Sequence, residues 1–178
     1  MATDLRSVTV GTPLGDLTVV VSPRGVVATA FDDETPATLD EVERRLEAPV
    51  RPSARTLADV RTDVTTYFRG GARSFSAPAD LVLATPGFPR RVLEVTATIP
   101  HGQLWTYGDV AAMAGAPRAA RAAGNALARC PIELFVPCHR VVHAGAGIGG
   151  YGRFTERKRW LIAHERDASP DVREDGGA

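Results

Sequence analysis

Cysteine is scarce: Cys130 and Cys138 are the only two in 178 residues. Two give no disulfide framework, and a reducing compartment would keep both as thiols available for reaction. Long apolar runs are missing as well. No stretch approaches the roughly 18 residues of a membrane-spanning helix, and the N-terminal MATDLRSVTV has an early acid where a secretory signal would have a basic region and an apolar segment. These absences predict a cytoplasmic protein with no membrane association. No glycine-rich nucleotide motif precedes a helix, so no cofactor is expected. What is present is an ordinary globular composition, 44% apolar, enough for one domain with a sizeable core or two small ones.

The formal net charge is zero, but it is unevenly spread. Residues 1–85 carry nine arginines against twelve acids, net −3; residues 86–168 carry eleven bases against six acids, net +5; the last ten residues are net −2. The C-terminal half is therefore where a polyanion could dock, although scattered solvated arginines would give the same count. Nearly all the positive charge is arginine, which favours forked phosphate contacts and stacking.

The first third alternates apolar and polar residues in the runs SVTVGT, DLTVVVS and GVVATAF, and predicts a β-meander. Helical spacing follows at Thr38 to Leu46 and Ala58 to Phe68. RGGARSFSAPADLVLATPG then suits an extended linker, with a boundary near residue 80. Beyond it, helices are expected over Pro89 to Thr98, Thr106 to Ala114, Arg118 to Arg129 and Glu156 to Glu165. The middle pair, broken at Gly115-Ala116-Pro117, reads equally well as a helix-turn-helix or as two core helices. Ile132 to Val142 is expected to be a short strand followed by a glycine-rich loop, Gly145 to Gly152.

That strand carries FVPCHRVVHAG, from Phe135 to Gly145. A cysteine attacks as thiolate, and a free thiol is only a few per cent ionised at neutral pH, so a neighbour must take its proton. His139 is adjacent. On a regular strand it would face away from Cys138, but Pro137 interrupts pairing and could let the two converge. A histidine base is usually oriented by a third group, and Glu165, ending KRWLIAHE, is the carboxylate nominated for it. Three other readings stay open. Cys138 could be an inert buried thiol. Cys130, Cys138, His139 and His143 could bind metal, although seven residues between the cysteines match no usual zinc spacing. A cysteine hydrolase would use the same trio, but no oxyanion hole is identifiable.

Taken together, IPHGQLWTYGDVA, GAPRAARAAGNA, VPCHRVV, GGYG and ERKRWLIAHE, in this order between about Phe88 and Glu165, closely resemble the O6-alkylguanine-DNA alkyltransferases. The resemblance implies a two-domain α+β fold. Residues 1–80 would form an N-terminal β-sheet with helices, ribonuclease-H-like; residues 81–168 a mostly helical DNA-binding and active-site domain with a helix-turn-helix and a short active-site strand; residues 169–178 a disordered tail. It implies a monomer that binds double-stranded DNA, flips the damaged nucleotide out through the minor groove, and moves the alkyl group of O6-alkylguanine, or O4-alkylthymine, irreversibly to its own cysteine. Cys138 would be the acceptor, His139 the base acting through a water, and Glu165 its orienter. Tyr107 would hydrogen-bond guanine N3 and crowd the 3′ phosphate; Val141, Tyr151, Gly152 and Arg153 would line the pocket. Arg121 would fill the space left by the flipped base, on a helix whose Ala119, Ala120 and Gly124 approach the groove. The alanine-rich surface agrees with this, since it offers almost nothing with which to read base edges.

The chain departs from the family pattern in four places. Cys130 replaces an asparagine that ties the DNA-contacting helix to the active-site strand, which predicts looser coupling and a second oxidisable thiol. Arg153 and Phe154 replace two glycines at the pocket rim, which predicts a narrow entry. Gly152 lacks a hydroxyl that some members place near O6. The N-terminal half has no cysteine, so no metal is expected.

Overall fold

The computed structural model describes residues 4–145, 147–150 and 154–168. The alternating runs form the expected meander: β1 (Leu5–Thr12), β2 (Gly15–Ser22) and β3 (Gly25–Phe31), antiparallel in sequence. Helix α1 (Thr35–Leu46) starts earlier than its apolar spacing predicts, because Pro36 fits the first turn, where its missing N–H costs nothing. After it, β4 (Val50–Pro52), too short to show in the pattern, pairs parallel to β1 and completes a four-stranded sheet of order β3-β2-β1-β4. Helix α2 has the predicted bounds, Ala58–Phe68.

Both faces of this sheet are covered. Val20, Val27 and Val42 pack together on the α1 side. Leu17, Val19, Val64 and Tyr67 belong to a larger cluster that runs on without a break through Val92, Val110, Ala123 and Val136 to Cys138 and Leu161. One core therefore joins the two halves, and β3, with Val26 and Phe31 in this cluster and Val27 and Ala28 in the other, is buried along its whole length.

The segment expected to be an extended linker is instead pinned to the sheet. The Val26 amide donates to the Pro78 carbonyl at 2.9 Å and the Asp80 amide to the Val26 carbonyl at 2.7 Å. Gly25, at φ +143°, leaves room for this approach, since a Cβ there would collide with the Pro78 carbonyl. Glycine and proline content signals irregular backbone, and says nothing about whether that backbone is docked.

The C-terminal half comprises α3 (Phe88–Thr96), β5 (Trp105–Thr106), α4 (Tyr107–Met113), α5 (Ala120–Leu127), β6 (Val141–Val142) and α6 (Thr155–Asp167). Helices α4 and α5 pack on each other, and the small side chains of Ala111, Ala114, Ala123 and Ala126 in this region are buried at 7% exposure or less. Helix α5 is shorter than the predicted Arg118 to Arg129: Ala119, at φ −102° and ψ 28°, is its non-helical N-cap, and the helix runs from Ala120 to Leu127. The expected strand over Ile132 to Val142 is also corrected. Leu134 takes φ +77°, Pro137 cannot donate, and Cys138–Arg140 form one 3₁₀ turn before β6 pairs parallel with β5. No helix among the described residues is long and apolar enough to cross a membrane.

Candidate active site

The backbone leading to Cys138 is held by the edge of the N-terminal sheet. On β3 the Thr29 amide donates to the Pro131 carbonyl at 2.8 Å and the Thr29 hydroxyl to the Glu133 carbonyl at 3.0 Å. This anchoring leads directly into the positive φ at buried Leu134, a conformation that costs a non-glycine residue of order 1 kcal/mol or more. The 3₁₀ turn then buries Cys138, His139 and Arg140 together. Because the turn is not extended, His139 is not forced to the face opposite Cys138.

Glu165 on α6 is the hub beneath that turn. Its Oε1 accepts from His139 Nε2 at 2.7 Å, Arg140 Nη2 at 2.9 Å and the Tyr67 hydroxyl at 2.7 Å; its Oε2 accepts from Arg140 Nε at 2.9 Å and the Gly102 amide at 3.0 Å. The Arg140 guanidinium also donates to the Ile99 carbonyl. Burial alone would raise the carboxyl's pKa, but the bonds from His139 and Arg140 outweigh it and hold the group well below the usual carboxylate range. Burial lowers the His139 pKa, with Glu165 pulling the other way. The pair is thus a neutral imidazole on an ionised carboxylate. Since an ionised carboxylate only accepts, Nε2 carries the proton and Nδ1 presents its lone pair. Nδ1 is buried and has no hydrogen-bond partner among the described residues.

Cys138 lies at 4% exposure. Its pKa is pushed up, first by the neighbouring Cys130 thiol and then by burial, while the Lys158 charge pulls it down. Lys158, the one lysine of the chain, is itself buried. Its ammonium donates to the carbonyls of Val141 and Gly150 and to the Tyr107 hydroxyl at 3.5 Å. Desolvation brings it down to about 8. Tyr107 opens α4 behind a capping box formed by Thr106 and Asp109, and burial raises its phenol, which stays protonated at neutral pH. Gly149, at φ +75°, passes close over it: a Cβ there would lie 2.7 Å from the Tyr107 hydroxyl.

A cavity of about 770 Å³ opens above the thiol. Cys138, Tyr107 and Gly150 line its inner part; Ala120, Arg121, Gly124 and Asn125 of α5 form one wall, and Glu34, Glu133 and Phe154 border it elsewhere. Arg121 and Asn125 are exposed. Among the described residues no group of three or more His, Cys, Asp or Glu side chains gathers in a way that could hold a metal ion.

A thiol with a base relay, at the foot of a cavity walled by the second helix of a helix-turn-helix, agrees with the comparisons. Residues 87–167 match the family model described as 6-O-methylguanine DNA methyltransferase, DNA binding domain, and residues 5–81 match its ribonuclease-like domain. The chain belongs to this methyltransferase family. It is 38% identical over 155 residues to the methylated-DNA--protein-cysteine methyltransferase of Mycolicibacterium paratuberculosis, covering 85% of this chain and 92% of that protein. It is 33% identical over 159 residues to the constitutive methylated-DNA--protein-cysteine methyltransferase of Bacillus subtilis, covering 89% and 93%. The crystal structure of Mycobacterium tuberculosis OGT in complex with DNA superposes with a TM-score of 0.77 at 30% identity, covering 94% of this chain and 96% of that one.

Set against the expectations for a methyltransferase of this family, Cys138, Tyr107, Ala120, Arg121 and Gly124 meet at the cavity, and His139 and Glu165 form the relay behind it. Ala119 packs toward the core. Val141, expected to line the pocket, is buried and is not among the residues around the cavity; its carbonyl accepts from Lys158. Tyr151, Gly152 and Arg153, and the tail from residue 169, lie outside the described residues. Cys130, expected to loosen an inter-element tie, acts directly on the acceptor thiol. Sequence reasoning missed Lys158, Arg140 and Tyr67. Lys158 shares a helical face with Leu161 and Glu165, and Tyr67 continues the buried Val60 and Val64 stripe of α2; a polar residue on a core stripe was the available signal in both.

Proposed function

We propose that this chain repairs double-stranded DNA by moving the alkyl group of O6-alkylguanine, with O4-alkylthymine as a second substrate, to Cys138, acting as a monomer and once per molecule. The observation that carries the reading is the Cys138 thiol at the foot of a cavity whose wall is the exposed face of α5. The other member of the relay, His139 Nδ1, takes the thiol proton through a water, and the Glu165 carboxylate stabilises the imidazolium that forms. The sulfur then attacks the alkyl carbon in line: the S–C bond forms, the C–O6 bond breaks, and its electron pair leaves on the base. Tyr107, protonated and supported by the Lys158 ammonium, donates to the purine as that charge develops. The proton held by His139 returns to the departing guanine. Arg121 occupies the space vacated by the flipped nucleotide, offsetting part of the few kcal/mol that unstacking costs. The product thioether is not hydrolysed, so repair is stoichiometric.

The test is intact mass after incubation with a duplex holding one O6-methylguanine. A gain of one methyl group per protein, saturating at one lesion per molecule, is expected. An unchanged mass with tight lesion binding would overturn the reading in favour of a sensor that does not repair.

A further inference from the structure

The cavity's border beyond Phe154 is built by residues to which neither the family pattern nor the reaction assigns a role. Arg157 of α6 is inserted between two rings, its guanidinium carbon 4.0 Å from the Phe31 centroid and 4.1 Å from the Phe154 centroid. Its Nη1 donates to Glu34 Oε2 at 3.2 Å and stands 3.9 Å from Glu133 Oε2. Only about 10% of the Arg157 side chain is exposed. The planar guanidinium is thus fixed on both faces by stacking and at its edge by carboxylates, an arrangement in which a fork loses little freedom. Phe31 and Glu34 come from the N-terminal half, at the end of β3 and just beyond it; Glu133 precedes the acceptor turn; Phe154 and Arg157 open α6. Glu34, Glu133 and Phe154 all border the cavity that holds Cys138.

Resting on the alkyl-transfer reading above, we propose that the Glu34–Arg157 clamp determines which adducts are accepted: it locks Phe154 against the cavity and limits the acceptor to small alkyl groups, with the N-terminal half supplying one jaw. A methyl group needs no movement of this wall. A benzyl-sized adduct needs Phe154 to yield, and Phe154 can do so only if Arg157 shifts away from Glu34. Arg157 is here a positioning residue and Glu34 a specificity-determining one; neither takes part in the proton relay.

The experiment measures the rates at which the full chain takes a methyl group from O6-methylguanine and a benzyl group from O6-benzylguanine, each in duplex DNA, for the parent protein, Glu34→Ala and Glu34→Gln. The parent is expected to favour methyl strongly. The benzyl-to-methyl ratio should rise about tenfold in Glu34→Ala, the scale on which pocket walls discriminate by size, and by less in Glu34→Gln, which keeps the volume and loses the charge. Because Glu34→Gln preserves the shape of the wall, it reads the proposal even where Glu34→Ala folds poorly. An unchanged ratio in the variants, or a parent that takes benzyl as fast as methyl, would overturn it. A parent that takes neither group would instead overturn the alkyl-transfer reading, an outcome distinct from either.

Discussion

The proton on Cys138 is governed by Cys130, Glu133, Lys158 and His139, neighbours that sequence proximity only half reveals. The Cys130 thiol and burial keep the acceptor protonated at rest, and Lys158 works in the opposite direction. His139, kept neutral by burial, is ready to take the proton once a substrate excludes bulk water. A resting thiol is a sensible state for a protein that can react once, since a standing thiolate would be consumed by any electrophile. Removing Cys130 takes away the largest influence raising the acceptor's pKa. Cys130→Ala should therefore move the pH profile of Cys138 alkylation by a small electrophile such as iodoacetamide to lower pH, read by mass at the Cys138 peptide. An unmoved profile would mean that the two thiols are not coupled. The chemistry of Cys138, His139 and Glu165 was legible because PCHR and the terminal glutamate sit in an ordered series of motifs. The Cys130 effect was not, because seven intervening residues had first to be folded back by the positive φ of Leu134 and the 3₁₀ turn.

At the scale of elements, α5 and the segment from Cys138 to Val142 divide the labour. Helix α5 has a buried face of Ala123, Ala126 and Leu127 and presents Arg121 and Asn125 outward, so its exposed side can change without disturbing the core. Arg121→Ala should weaken affinity for a lesion-bearing duplex roughly tenfold, within the few kcal/mol that flipping a base costs, and leave alkylation of Cys138 by a small electrophile as it was. Binding by fluorescence anisotropy checks the first part and peptide mass the second. Most helices were readable from apolar spacing and proline placement, and their ends moved by only a few residues. The strand expected around Cys138 was not, because an apolar run bounded by prolines specifies burial without specifying extension. The short strands β4, β5 and β6, of three, two and two residues, carry too few positions for an alternating pattern; β4 is held by the longer β1, while β5 and β6 pair with each other where tertiary packing brings them together.

On the scale of the whole molecule, one core and one buried ionic hub bind the halves together. Tyr67 of α2 donates to Glu165, so the N-terminal half reaches the proton relay directly, in addition to framing the cavity through Glu34. The hub also sets the response to acid. His139 has a folded pKa below its ordinary 6.5 and Glu165 one far below its ordinary 4.5. In each case the unfolded chain binds the proton first, so the stability they contribute is present at neutral pH, begins to fall as pH drops below about 6.5, and is lost more steeply below about 4.5. Thermal melts across pH should show a plateau between about pH 7 and 8, below which this two-stage decline sets in. Glu165→Gln should flatten the second stage while lowering the plateau by about 3 kcal/mol, because Arg140 is left buried without its charge partner. That Glu165 would matter was legible from its place as the carboxylate ending KRWLIAHE. That it gathers Arg140, Tyr67 and the Gly102 amide was not, since these come from separate elements that only the folded chain brings together. The account stands or falls on one residue, and the most direct measurement is a peptide map of the protein after reaction with one equivalent of duplex carrying O6-methylguanine. It predicts one added methyl group on the peptide holding Cys138 and none on Cys130; a methyl group found elsewhere, or restored guanine in the DNA with an unmodified Cys138, would contradict it.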